Sequence, residues 1–413
     1  IDADVATWLA AAKEAAKQRI ETAFATSYPE SNYFAEEYPQ ITEIKTVKLA
    51  ALEECTTTVA FNAFALTEED IAKLDAVKTM AQIAEAKIGE TYYRVFAQAL
   101  QAAAANDTIV LNNDVTITAI IKVDKNLTLD LNEKTLTREN NWLMQVVNGK
   151  FVVKNGNLVA PNGISVDGAD SEAHFENVKF TAQKRTAQVI NDAKLFITQG
   201  SVFTTTGEGV NEDVDGGEPT VYVEKGTFEI TNSTLLKSTT RGFVLSGNGN
   251  FSNVVTLKLD GATVKGSEIA IYMPNAETLT IADSMIEGQA GVYIKSGTTT
   301  ISGNTTIKSL LAEKVPFEHS GNGAAATGDA LIIEACGYPG GNPTVNINGG
   351  NFVTTDETAC GVAYYVWNKD ETTDNKATIT FGEGVYETLT TNIVAKIGTQ
   401  YYNSFPVALA KAQ

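Results

Sequence analysis

The sequence predicts a mainly β chain, a parallel β-helix solenoid of about ten to twelve coils, with a mostly helical module before it and a short capping helix at its start. Three observations carry that prediction. A short apolar-and-turn pattern recurs at a fixed interval, a second strand lies just upstream of each copy, and no helical period runs through the repeating stretch.

In the pattern, apolar residues stand at n−2, n and n+5 and a turn residue at n+2. With n at Leu131, Val153, Phe175 and Ile197 the spacing is 22 each time; it continues at Ile230, Leu259, Ile281, Ile301, Ile347 and Phe381 with spacings of 33, 29, 22, 20, 46 and 34. Residues at n−2 and n, such as Phe151 and Val153, share one face of an extended strand because side chains alternate with period 2. Asn155, Asn177, Asn232, Gly261, Asp283, Gly303 and Gly349 at n+2 are types that tolerate positive φ, so the chain bends there. Leu136, Leu158, Phe180, Val202, Leu235, Val264, Ile286 and Phe352 then turn inward again. The upstream strands include 144–147, 163–166, 221–223, 242–245, 269–272, 291–294 and 363–366. One such coil cannot bury its inner face alone, so neighbours must supply the core by stacking. At about 4.8 Å of rise per coil, ten coils make a rod roughly 50 Å long.

The chain divides into 1–86, a helical module; 87–395, the solenoid, with its cap helix at 91–105; and 396–413. Residues 2–28 carry Val5, Leu9, Ala12, Ala16 and Ile20 at the spacing of one helix face. Thr67 and Asp70 form a capping-box pattern ahead of Ile71, Leu74, Val77, Met80 and Ile83, which predicts a second helix over 68–86. Residues 29–66 show no clean period and read as mixed. Lys87-Ile88-Gly89, Tyr92-Tyr93, Phe96, Ala99 and Leu100 return as Lys396-Ile397-Gly398, Tyr401-Tyr402, Phe405, Ala408 and Leu409 at a constant offset of 309. Two readings follow: the second copy caps this solenoid, or it opens a following repeat. Either leaves room for end-to-end self-association.

A net charge of −19, with 31 Lys+Arg against 50 Asp+Glu and no basic cluster, argues against nucleic acid or an anionic membrane as partner. No apolar run is long enough to insert into a membrane. Cys55, Cys336 and Cys360 are too few for a disulfide scaffold. Cys336 and Cys360 lie 24 residues apart, about one coil, so they are read either as stacked neighbours or as small apolar residues near strand ends. The chain begins at Ile1 and shows no signal peptide, which reads as a mature or excised segment.

The run IGETYYRVFAQALQAAAANDTIVLNNDVTI, then LTLDLNEKTLT and GKFVVKNGNLV, resembles the opening of right-handed parallel β-helix (pectate-lyase-like) domains in surface and secreted proteins of gut bacteria. The resemblance covers about 87–409. It implies a right-handed coil in an extracellular or cell-surface protein, commonly multi-domain and often adhesin-like or of unknown function, and it implies no reaction, since function resides in sites grafted on a fold.

The familiar polysaccharide chemistries lack their residues. A pectate-lyase site needs an acidic calcium cluster and an arginine on successive coils, yet Arg138, Arg185 and Arg241 stand beside no repeated Asp motif. A polygalacturonase site needs an Asp pair and a nearby His, and there is no Asp-Asp pair. His174 precedes an anchor and reads as a solvent-facing strand residue; His319 reads as a solvated loop residue. No zinc-type Cys/His spacing is present. The one metal-like string places Asn211, Asp213 and Asp215 at positions 1, 3 and 5 of a calcium-loop pattern with Gly216 at 6, but Tyr222 stands where the closing Glu belongs. Calcium is thus the one cofactor the sequence raises, on an incomplete motif whose plainer reading is an acidic turn; no other cofactor is expected.

Tyr338, Tyr364, Tyr365 and Trp367 gather near the last coils, and alternation turns some of them inward, leaving Tyr338, Tyr365 and Trp367 as candidate ligand contacts. Loops at 204–219, 309–329, 337–343 and 368–376 interrupt the coils, and insertions in a solenoid collect where it binds. The expectation is a non-catalytic extracellular or cell-surface protein serving adhesion, glycan or host-surface binding, or spacing. The alternatives are a polysaccharide lyase or glycoside hydrolase with an unfamiliar site, and a self-assembling fibre subunit.

Overall fold

A computed structural model describes residues 2–207, 218–239, 242–247, 254–274, 278–321 and 323–412. The calcium-like string at Asn211, Asp213 and Asp215 lies outside the described residues. The chain forms two compact units, Ile1–Ala102 and Ala103–Gln413.

The first unit is helical, with helices at Asp2–Ser27, Tyr38–Glu53, Thr58–Ala63, Glu68–Ala76 and Met80–Ile83. The stretch read as mixed is therefore largely helix. Pro39 sits in its first turn, where a missing N–H costs nothing, and Ile41 and Leu52 are buried with Ile44 and Leu49 beside the core. The single helix expected over 68–86 is two. Val77 is extended and ends the first, and the Gln82 side chain accepts from the Thr79 N–H at 2.9 Å to start the next. Ile20, Phe24, Tyr33, Ile41, Leu74 and Val77 form a core cluster, and Val5, in the first turn of the first helix, is exposed. The unit closes with a hairpin, Ala86–Ile88 against Thr91–Tyr93, and a helix at Phe96–Ala102. The cap helix expected over 91–105 is thus shorter and begins as a strand; the Glu85 carboxylate accepts from the Phe96 N–H at 2.6 Å and fixes its start.

The second unit is a parallel β-helix of three sheets. In the first sheet Ile109, Leu129, Val153, Phe175, Ile197, Ile230, Leu259, Ile281, Ile301, Ile347 and Phe381 stand in one register column, one per coil. The anchor of the second coil is Leu129, not Leu131. Its bend is longer, with Asn132 and Glu133 both at positive φ, and a two-residue slip preserves alternation, so the apolar pattern alone cannot detect it. Positive φ occurs at Asn155, Asn177, Asn232, Gly261, Asp283 and Gly303 as expected; in the 347 coil it falls on Gly350 rather than Gly349. Side chains at the bend also stack, Asn177 donating to Asn155 and Asn155 to Asp130, each at 3.3 Å.

After the bend, Val115, Leu136, Leu158, Phe180, Phe203, Leu235, Val264, Ile286, Ile307 and Phe352 form the column of the second sheet. Phe203 takes the inward place assigned to Val202, because Gln199 and Gly200 both adopt positive φ and lengthen that bend by one residue. Phe175, Phe180 and Phe203 meet inside at 5.0–6.1 Å between centroids.

The upstream strands form the third sheet, with Ile121, Met144, Ile164, Ala187, Val221, Leu245, Ile271, Val292, Leu331 and Val362 inward and in register. The last coil carries the second copy of the terminal motif: Ala395–Ile397 pairs with Gln400–Tyr402 in the same antiparallel register as Ala86–Ile88 with Thr91–Tyr93, and a helix follows at Phe405–Lys411. Tyr401 meets Phe381 edge-on at 5.2 Å, and Gln400 donates to the Ala377 carbonyl. Cys336 and Cys360 are free and buried but do not stack. Leu331 pairs with Val362, a step of 31 residues, which puts Cys360 level with Asp329 and not with Cys336.

Candidate functional site

The outward column of the third sheet reads Lys122, Gln145, Ser165, Gln188, Tyr222, Ser246, Tyr272, Tyr293, Ile332 and Ala363. It begins polar and becomes aromatic and apolar. The strands Ile269–Met273, Ala290–Ile294 and Leu331–Ala335 are buried on both faces, unlike an ordinary solenoid sheet with one wet side. Something must cover the outer face, and it is the chain between Ser309 and Leu331.

That connection is long where the equivalent one in the preceding coil, between Gly288 and Ala290, is a single residue. It crosses the outer face against the order of the coils. Lys314 Nζ approaches Asp329 at 3.2 Å, Phe317 stacks on Tyr365, His319 stacks on Trp367, Lys295 donates to the Ser320 carbonyl, and the Tyr272 hydroxyl donates to the Gly323 carbonyl at 3.3 Å. His319 is therefore not a solvated loop residue; its aromatic and carboxylate partners hold it half-buried.

Two fully buried carboxylates lie at this contact, Glu334 on the strand beneath and Asp329 at the end of the segment itself. Glu334 receives the Tyr293 hydroxyl at 2.6 Å and Lys295 Nζ at 3.4 Å on Oε2, and His319 Nδ1 on Oε1. Lys295 and Glu334 side chains both have 0% exposure, so each charge depends on the other for compensation. Asp329 accepts from the Cys360 N–H at 2.7 Å, the Thr327 hydroxyl at 2.5 Å and the Tyr365 hydroxyl at 2.6 Å. Burial, with the neighbouring Glu334, holds the Tyr293 phenol well above its ordinary range; burial and Asp329 do the same for Tyr365. Both phenols stay protonated and serve as donors. Burial, then Glu334, pushes the Cys336 thiol up to about 12.

Toward the earlier coils, among the described residues, a groove of about 590 Å³ borders the covered face, within the size range of small-ligand sites. Tyr222, Phe243, Tyr272 and Tyr338 supply its aromatic walls, and Arg185, Glu218 and Ser246 its polar groups. Phe243 and Tyr272 stack at 4.5 Å. Arg185 lies over the Tyr222 ring at 4.8 Å, donates to Gln188 at 3.0 Å and pairs with Glu218. The Lys295 ammonium sits 5.4 Å from the Tyr338 ring, so Tyr338 joins groove and buried cluster.

No protein-family model, curated protein or solved structure matches the chain.

Of the three expected ligand contacts, Tyr338 lines the groove, whereas one ring face each of Tyr365 and Trp367 is taken by Phe317 and His319. Sequence reasoning missed Tyr222, Phe243 and Tyr272 as groove residues and Lys295 and Glu334 as a buried pair. Tyr272 and Tyr293 carried a legible signal, being aromatic at the polar phase of an alternating strand. His174, read as solvent-facing, packs on Phe196 at 4.5 Å and bonds Glu172.

Proposed function

We propose that this chain is a non-catalytic, extracellular or cell-surface binding protein that holds a glycan across the outer face of its third sheet. The observation that carries the reading is the groove itself, in which four aromatic side chains from successive coils and from the 337–343 loop surround Arg185, Glu218 and Ser246. Aromatic faces stack on the apolar faces of sugar rings, while charged and hydroxyl groups beside them satisfy sugar hydroxyls. The parallel rungs, about 4.8 Å apart, repeat contact positions along the axis of an elongated ligand. The outside placement rests on the resemblance of the opening segment to β-helix domains of surface proteins.

Binding is favoured over hydrolysis by the state of the groove's described carboxylate. Glycosidic hydrolysis uses two carboxyl groups flanking the scissile bond. Glu218 is engaged by Arg185.

A glycan array read with the unaltered chain and with Tyr222→Ala and Tyr272→Ala tests the proposal. Selective binding that falls at least tenfold in both variants is expected. Binding unchanged by both overturns it.

A second reading, end-to-end association, is favoured by one observation: the hairpin-and-helix motif at 86–102 returns at 395–411 with identical strand register. Filaments that lengthen with protein concentration under negative stain support it, and a monodisperse monomer across that range contradicts it.

A further inference from the structure

We propose that His319, Glu334 and Cys336 form a zinc site that ties the 310–329 segment to the third sheet. The ring nitrogen of His319, a carboxylate oxygen of Glu334 and Cys336 Sγ all lie within 4.8 Å of one another. In a tetrahedral zinc site, with bonds of about 2.0–2.3 Å, such donor atoms stand roughly 3.5 Å apart, a difference that small side-chain rotations close. A nitrogen, an oxygen and a sulfur donor together select zinc over calcium or magnesium, which take oxygen alone.

The surroundings are arranged as a metal ligand set requires. Glu334 turns Oε1 toward His319, while Oε2 is held by the Tyr293 hydroxyl and Lys295, so the ligating oxygen is aimed by the bonds of its twin. Trp367 lies flat on the His319 ring at 3.9 Å and fixes its plane. Glu334 belongs to the strand Leu331–Ala335 and Cys336 directly follows it, whereas His319 comes from the covering segment, so a metal bound by all three crosses from sheet to segment. On coordination the Cys336 thiol proton leaves to solvent, and the thiolate and carboxylate together offset two of the three positive charges that the ion and Lys295 bring to the site. Three protein donors leave a fourth position for water.

The chain, stripped with a chelator and dialysed, is titrated with Zn²⁺ and separately with Co²⁺ as a spectroscopic substitute. One zinc per chain, a raised melting temperature, and a Co²⁺ adduct with a thiolate charge-transfer band are expected. The band should vanish in Cys336→Ser and persist in Cys360→Ser, and Tyr293→Phe should weaken zinc binding by about 10–100-fold. Far-UV circular dichroism of each variant confirms that the β-helix is intact, and His319→Ala, altered in the covering segment alone, serves if Cys336→Ser does not fold. Failure to take up one equivalent of zinc overturns the site, as does a charge-transfer band that survives Cys336→Ser or uptake undiminished by His319→Ala. None of these outcomes bears on glycan binding in the groove.

Discussion

Phe317 lies flat against Tyr365, ring centroids 4.1 Å apart and planes 4° from parallel, and two residues on His319 repeats the arrangement on Trp367 at 3.9 Å and 13°. The two pairs share one spacing, 317 and 319 on the segment against 365 and 367 on the sheet side. Phe317→Ala removes one ring of this double stack, and an aromatic pair contributes about 0.5–1.5 kcal/mol beyond the area it buries. Hydrogen exchange should then quicken at the amides of Leu331–Ala335, under the segment, and stay slow in the first sheet at Ala193–Thr198. Equal protection in variant and unaltered chain contradicts the covering role.

The buried pair of Lys295 and Glu334 gives a sign-specific expectation. Lys295→Met leaves the Glu334 carboxylate without its cation in a site of 0% exposure, and stranding a buried charge costs about 3–5 kcal/mol. Glu334→Gln in the same chain removes the stranded charge, so the double variant should be more stable than Lys295→Met alone. Urea melts in the presence of a chelator measure this, and strictly additive losses contradict it.

Gly163 has no room for a side chain. A Cβ at this position would fall 1.8 Å from the Thr186 carbonyl oxygen of the next coil and 2.7 Å from the Phe180 ring. Gly163→Ala must separate two coils that pair from Ser171 to Ile190, next to the register shift between Ala182 and Arg185, so loss of cooperative unfolding or of soluble expression is expected. Gly89→Ala meets no atom within 4 Å and pays only for its positive φ, which sets it at about 1–2 kcal/mol.

In the helical unit, burial acts to raise the Asp70 carboxyl, but hydrogen bonds from Lys48 and from the Thr67 backbone and hydroxyl outweigh it and hold Asp70 at about 2. A carboxyl whose folded value lies below its unfolded value stabilises the fold above the unfolded value, and that contribution is lost as pH falls toward the folded one. Stability of this unit should therefore decline between about pH 4 and 2. Asp70→Asn should flatten that decline, and Thr67→Ala should cost about 1 kcal/mol at neutral pH through loss of the helix cap. An unchanged acid transition in Asp70→Asn contradicts the assignment.

The register column from Val153 to Phe381 was legible because one inward residue per coil and one positive-φ residue per bend are local demands that sequence must meet. The slips at Leu129 and Phe203 were not legible: a bend that gains one or two residues keeps apolar residues nearby, and only pairing with the next coil decides which one faces in. The groove was half legible. Tyr338 stood out as an aromatic in a turn, but Tyr222, Phe243 and Tyr272 look like ordinary strand aromatics until the coils are stacked and bring them to one groove. Glu334, His319 and Cys336 could not be joined from sequence, because a 310–329 segment that doubles back brings together residues that no fixed spacing links.

A crystal structure of the chain with an oligosaccharide selected on the array tests the groove most directly. Sugar rings stacked between Tyr222 and Tyr338 and hydrogen-bonded to Arg185 or Glu218 are the expected result. An oligosaccharide bound elsewhere on the chain, with the groove vacant, would contradict the proposed function.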